Sequence, residues 1–190
     1  MIKKSWISLV LCCALSCALV MGAAVKKAEA QKPIPLRIAH VEAEDRSTHK
    51  ALLKFKEYVE KESGGRLEVQ IFPNALLGGD KEAIEGVEMG NVQMCLPGVT
   101  VLASYDKEFG VVDLPFLFES EEAIFNAMDG KVGAYLSKKI EKQSLVNFGY
   151  NYNGPRCISN NVRQITQPDD LKGVKIRVPQ SPVFIDTFKA

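Results

Sequence analysis

The amino-acid sequence predicts an α/β fold built on a parallel sheet, and three observations carry that expectation. Short segments with the two-residue alternation of strands recur, helical stripes of apolar residues separate them, and turn residues punctuate each change of period. Strand, helix, strand, helix, strand in that order implies parallel pairing, with helices covering both faces of the sheet.

The first strand is carried by Leu36, Ile38 and His40, which alternate with Arg37 and Ala39 and lead into "HVEAED". From Ser47 to Glu60, Leu52, Phe55 and Val59 recur at helical spacing, and Gly64-Gly65 stops the helix. "RLEVQIF" alternates as a second strand before Pro73-Asn74. Asp80 is placed to cap a helix running through Met89, with Ile84 and Val87 on one face and Gly90 just beyond. "VQMCL", residues 92–96, is the third strand.

Beyond it, "VVDLPFLF" is apolar but broken by Pro115, which suits a loop or sheet edge rather than a central strand. Helices are expected over Ser120 to Met128 and Lys131 to Gln143, then a strand in "LVNFGYNY". In "DDLKGVKIRVP", Val174, Ile176 and Val178 alternate with Lys175 and Arg177, the pattern of a strand with one apolar and one cationic face. "SPVFIDTFKA" begins a helix with Val183, Phe184 and Phe188 on one side and no cap after it, so a truncated chain is expected.

The first thirty residues read as a leader. Met1-Ile-Lys-Lys is a basic start, Ile7 to Val25 is small and apolar, and Ala28-Glu29-Ala30 matches an A-x-A cleavage site. Secretion with cleavage after Ala30 is expected, giving a periplasmic or otherwise extracytoplasmic protein. A transmembrane anchor is the alternative, since the apolar run is nearly long enough to span a bilayer. Removal of the leader takes Lys3, Lys4, Lys26, Lys27 and Glu29, leaving 20 basic against 22 acidic residues. A net charge near −2 gives no footprint for nucleic acid. The sole tryptophan, Trp6, leaves too, as do Cys12, Cys13 and Cys17. Cys95 and Cys157 remain, without zinc or redox spacing; both are expected to be buried small residues, with one disulfide as the alternative.

Enzyme and cofactor signatures are absent. There is no G-x-S-x-G, H-E-x-x-H, Walker or G-x-G-x-x-G motif, and His40 and His49 are nine residues apart. The acidic run after the first strand is expected to be a solvated loop or helix cap rather than a metal site. In open α/β sheets ligands bind beyond the carboxyl ends of the strands. That rule nominates His40 and Glu42 after the first strand, and Pro97, Gly98 and Thr100 after the third.

"RIAHVEAEDRSTHKALLKFKEYVEKESGGRLEVQIFPNALLGGDKEAIEGVEMG", then "DLPFLF", "NGPRCISNN" and "QPDDLKGVKIRVP", resembles the solute-binding proteins of tripartite ATP-independent periplasmic (TRAP) transporters, the DctP-type family. The resemblance covers residues 35 to 190. It implies a periplasmic binding protein type II-like two-lobed fold: leader 1–30, first lobe 31–153, and the start of an incomplete second lobe over 154–190. It implies no enzyme and no cofactor, but a receptor that closes on a carboxylate-bearing metabolite and hands it to the TRAP membrane permease.

By the same resemblance Arg177, in K-I-R-V-P, pairs with the ligand carboxylate, Arg156 in "NGPR" assists, and Phe116 and Phe118 cover the ligand's apolar part, with core packing as the equal alternative for the two rings. Pro155 departs from the commoner aromatic at its place, which bears on ligand identity. An arginine suits this role because its planar fork meets a carboxylate with two parallel hydrogen bonds. Lys175 is expected at a solvated edge. A sensor subunit read by a kinase or chemoreceptor, a secreted enzyme and a truncated relic that binds nothing are the other readings left open. The 190-residue chain by itself is expected to bind its acid weakly or not at all.

Overall fold

The computed structural model describes residues 32–179 and 181–189. The leader and its cleavage site, with Trp6, Cys12, Cys13 and Cys17, lie outside the described residues. Three parallel strands form the sheet: β1 (Ile34–His40), β2 (Leu67–Phe72) and β3 (Met94–Leu96), in the order β2-β1-β3. Ile38 pairs with Ile71 on one side and Met94 on the other. The connections are α1 (Ser47–Glu62) and α2 (Asp80–Glu88).

The two-residue alternation of β1 assigns its side chains to opposite faces. Ile38 packs with Val69 and with Leu52 of α1, while Ala39 packs on the other face with Ala83 of α2 and Val92. Each fully buried aliphatic side chain contributes about 1.5–3 kcal/mol. Helix α1 also covers the outer edge of β2: Lys56 donates to the Val69 carbonyl at 2.7 Å and Glu60 accepts from its N–H at 2.9 Å. The outward backbone groups of Val69 on this edge strand are thus satisfied within the chain. Gly64 and Gly65, with φ of 61° and 76°, turn the chain out of α1 in a conformation that favours glycine.

After β3 come a single helical turn, α3 (Val99–Leu102), a 3-10 segment (Lys107–Asp113), α4 (Glu121–Met128) and α5 (Lys131–Ile140). Phe109, Leu136 and Ile140 form a separate small core against Leu102, Val112 and Met128. Short 3-10 turns follow at Glu141–Gln143 and Pro168–Leu171, and α6 (Pro182–Lys189) is the last element.

Several expectations are corrected. Residues 145–152 and 174–178 have no strand structure. Val174, Ile176 and Val178 are half-buried while Lys175 and Arg177 are exposed, so the alternation is real. A strand also needs a neighbour to complete its hydrogen-bond ladder, and among the described residues neither segment pairs with one. The third strand begins at Met94, not Val92, and α5 tightens into a 3-10 turn after Ile140. Asp80 is the first residue of α2 rather than its cap; Gly79 holds the cap position and Asp80 bonds elsewhere. Cys157 is exposed and Cys95 half-buried, and both are free thiols, because the stretch around Cys157 is exposed rather than packed.

Candidate functional site

The carboxyl ends of β1 and β3 open on one side of the sheet, and three polar groupings gather there and along the segments that follow. The first is built on the end of β1. His40 and His49 are both buried, and His40 Nε2 shares a 3.1 Å hydrogen bond with His49 Nδ1. His40 Nδ1 is buried without a partner. Burial, and then the neighbouring His49, push the His40 pKa below its ordinary value, while Glu42 opposes the shift.

Glu42 is half-buried and fully engaged. One carboxylate oxygen accepts from Arg46 Nε at 3.2 Å and the other from Asn153 Nδ2 at 2.9 Å. Asn153 Oδ1 in turn accepts from Arg46 Nη2 at 2.9 Å, closing a three-membered ring. Asn151 Nδ2 donates to Thr48 Oγ1 at 3.0 Å. These bonds fix the segment preceding Arg156 to the end of β1.

The second grouping surrounds Asp80. Its Oδ2 accepts from the Gly98 N–H at 3.0 Å, joining the start of α2 to the loop after β3, and its Oδ1 is buried without a partner. Burial raises the Asp80 pKa. The Gly98 bond works against the rise, Glu42 adds to it, and the positive charge of Arg177 lowers it. The charge of the exposed Arg177 is therefore felt at Asp80.

The third grouping centres on Asp113, which accepts from Thr100 Oγ1 at 2.9 Å and from Ser181 Oγ at 3.2 Å. Burial raises its pKa, and the two hydroxyl bonds and the charge of Arg156 oppose that. Arg156 is exposed, and its guanidinium carbon lies 5.2 Å from the centre of the Phe184 ring, a cation–π contact.

Of the residues nominated from sequence, His40 and Glu42 thus share one grouping, Arg177 acts on the Asp80 grouping, and Thr100 and Arg156 belong with Asp113. Phe116 stands apart, 99% exposed with φ of 59° in the "DLPFLF" loop. Phe118 is half-buried, and Lys175 is exposed. Asp80, Asp113, Asn151 and Asn153 were not nominated from sequence. The one usable signal was Asp113 itself, a lone carboxylate inside the apolar run "VVDLPFLF" that must find partners if buried.

The described residues thus present a parallel α/β unit with Arg156 and Arg177 exposed beyond it and with the hydrogen-bonded acids Glu42, Asp80 and Asp113 at its strand ends and the segments that follow. The chain belongs to the bacterial extracellular solute-binding proteins of family 7, the DctP family, whose model matches residues 38–190. It is 36% identical over 159 residues to the C4-dicarboxylate-binding protein DctB of Bacillus subtilis, covering 84% of this chain and 45% of that one. It is 33% identical to the 2,3-diketo-L-gulonate-binding periplasmic protein YiaO of Escherichia coli, with 81% and 47% covered.

Among solved structures, the sugar acid binding protein DctPAm of Advenella mimigardefordensis, in complex with galactonate, superposes with a TM-score of 0.81 at 37% identity, covering 83% of this chain and 51% of that one. A TRAP periplasmic solute binding protein from Sulfurospirillum deleyianum with bound succinate gives 0.79 at 30% identity, with 82% and 50% covered. These relatives are solute-binding proteins, not enzymes. The chain spans about half the length of the curated relatives it matches.

Proposed function

We propose that the chain is the capturing part of an extracytoplasmic receptor for a carboxylate-bearing metabolite, a dicarboxylate, 2-oxo acid or sugar acid, which it delivers to a TRAP membrane permease. Residues 31–153 form the first lobe, 154–190 begin the second, and residues 1–30 direct export and are cleaved after Ala30. The observation that carries this reading is the pair of exposed arginines, Arg156, seated on the Phe184 ring with its charge felt at Asp113, and Arg177, whose charge is felt at Asp80. Succinate and galactonate, named for two similar structures, share a carboxylate and little else, and a guanidinium fork reads that shared group.

Closure over the ligand strengthens such a pair by excluding water. His40, Glu42, Thr100 and Phe116 complete the proposed surroundings of the ligand. His40 and Thr100 act from behind the surface, since both are buried, and Phe116 meets the ligand only on closure.

Titration calorimetry on the complete gene product with succinate and D-galactonate tests the reading. Arg177→Ala is expected to weaken binding of the preferred acid by roughly 10²- to 10³-fold, the cost of removing one member of a desolvated charged pair. Arg177→Lys should restore little, because an ammonium cannot make the parallel pair of bonds. Full affinity in Arg177→Ala would remove the arginine from the site, and no binding of either acid by the unaltered protein would remove the proposed ligand class.

A further inference from the structure

Asp113 connects three segments that are far apart in sequence. Thr100 belongs to the turn after β3, Asp113 ends the 3-10 segment, and Ser181 immediately precedes α6, 68 residues on. Thr100 is 5% exposed and Ser181 fully buried, so neither hydroxyl has water to replace the carboxylate. Both oxygens of Asp113 are used, one for each hydroxyl. A charged acceptor holding two donors from different segments is a stronger and more directional tie than two neutral contacts.

The helix so held is docked at a second point on the same 3-10 segment. A Cβ added to Gly110 would stand 3.4 Å from Val183 Cγ2, an ordinary van der Waals distance, so α6 lies close along this segment. One residue further along α6, Phe184 carries the guanidinium of Arg156 on its ring. Four residues before Ser181 stands Arg177, in a segment without strand structure. The loop bearing Arg156 and the segment bearing Arg177 therefore both refer to α6, and α6 refers to the sheet through Asp113.

We propose that Asp113 is a positioning residue: its bonds to Thr100 and Ser181 fix α6 against the turn behind β3, and thereby set where Arg156 and Arg177 stand relative to the strand ends. Asp113 touches no ligand in this role. It acts through the helix, and its effect on affinity rests on the reading of the two arginines as carboxylate ligands. Ser181 serves the tie as a donor that leaves α6's own first turn to backbone bonds, Ile185 N–H donating to the Ser181 carbonyl at 3.1 Å.

Two measurements on the complete gene product test the proposal, and they fail separately. Hydrogen exchange without ligand reads the tie itself. In Asp113→Ala the amides of Ile185–Lys189 should exchange at least about tenfold faster, with those of α1 and β1 unchanged. Asp113→Asn keeps an oxygen for one hydroxyl and an amide for the other, and should recover most of the protection. Unchanged exchange in α6, or equal acceleration in α1 and β1, overturns the proposal, the second because Asp113 would then support the whole fold rather than one helix.

Calorimetry with succinate and D-galactonate reads the consequence. About tenfold weaker binding in Asp113→Ala, recovered in Asp113→Asn, is expected, and undiminished affinity in Asp113→Ala overturns the link to the arginines. If the unaltered protein binds neither acid, the ligand reading fails by itself, and hydrogen exchange still decides whether Asp113 holds α6.

Discussion

At the scale of single residues, burial of polar groups matters more here than any catalytic-looking motif. His40 is 2% exposed, has one ring nitrogen bonded to His49, and has the other without a partner. A second proton on that ring would be buried beside another imidazole, which is why burial and His49 lower its pKa. The unfolded chain returns His40 to its ordinary value near 6.5 and so binds more protons than the folded chain below that pH. Stability from this group is complete above about pH 6.5 and is lost as pH falls through the lowered folded value. The thermal midpoint is therefore expected to fall as pH drops below about 6.5, and His40→Gln, which cannot titrate, should flatten that slope in scanning calorimetry. An equally steep slope in the variant would assign the titration to another group. From sequence His40 was visible as a strand-end residue, but the pairing with His49 was not, because it depends on how the start of α1 folds back on β1.

At the scale of elements, the packing of α4 on α5 is set by one absent side chain. Gly133 is buried, and a Cβ at its position would overlap the Met128 carbonyl at the end of α4 and come within 2.9 Å of the Tyr150 ring. The first obstacle is backbone and cannot rotate away. The same turn holds Tyr150, whose hydroxyl donates to the Gly133 carbonyl at 3.0 Å. Gly133→Ala should thus cost about 3 kcal/mol or more by forcing the two helices apart, despite alanine's better helix propensity. Urea unfolding would show the midpoint falling with little change in slope, and a neutral or stabilising result would mean that the α4–α5 turn relaxes freely. The helices α1, α2, α4 and α5 were legible because their apolar stripes match the surfaces they cover, and β1 and β2 because alternation on a two-faced sheet is a strong local signal. The stretches 145–152 and 174–178 show what alternation leaves undecided. Their patterns state which side is apolar, while strand formation depends on a neighbour's backbone, and that is a property of the rest of the fold.

At the scale of the whole molecule, several large apolar side chains of the described residues face solvent. Phe116 is 99% and Phe148 84% exposed, with Val146 at 69%, and Ile185 and Phe188 of α6 are also exposed. Isolated exposed side chains are ordinary, but large apolar side chains exposed on several segments outside the sheet favour association. The sequence carried part of this, since the apolar side of α6 was visible in it, whereas the exposure of Phe148 follows from its segment remaining unpaired. The polypeptide of residues 31–190 prepared by itself is therefore expected to bind 8-anilinonaphthalene-1-sulfonate and to self-associate with rising concentration. Sedimentation velocity over a hundredfold concentration range should show the weight-average coefficient climbing. Phe116→Ser together with Phe148→Ser should lower both signals while leaving the helical circular dichroism in place, because neither ring belongs to the cores around Ile38, Ala39 or Phe109. A concentration-independent monomer without dye binding would mean that these faces are covered in solution by the chain itself, and that segments 145–152 and 182–189 pack more closely than their exposure indicates.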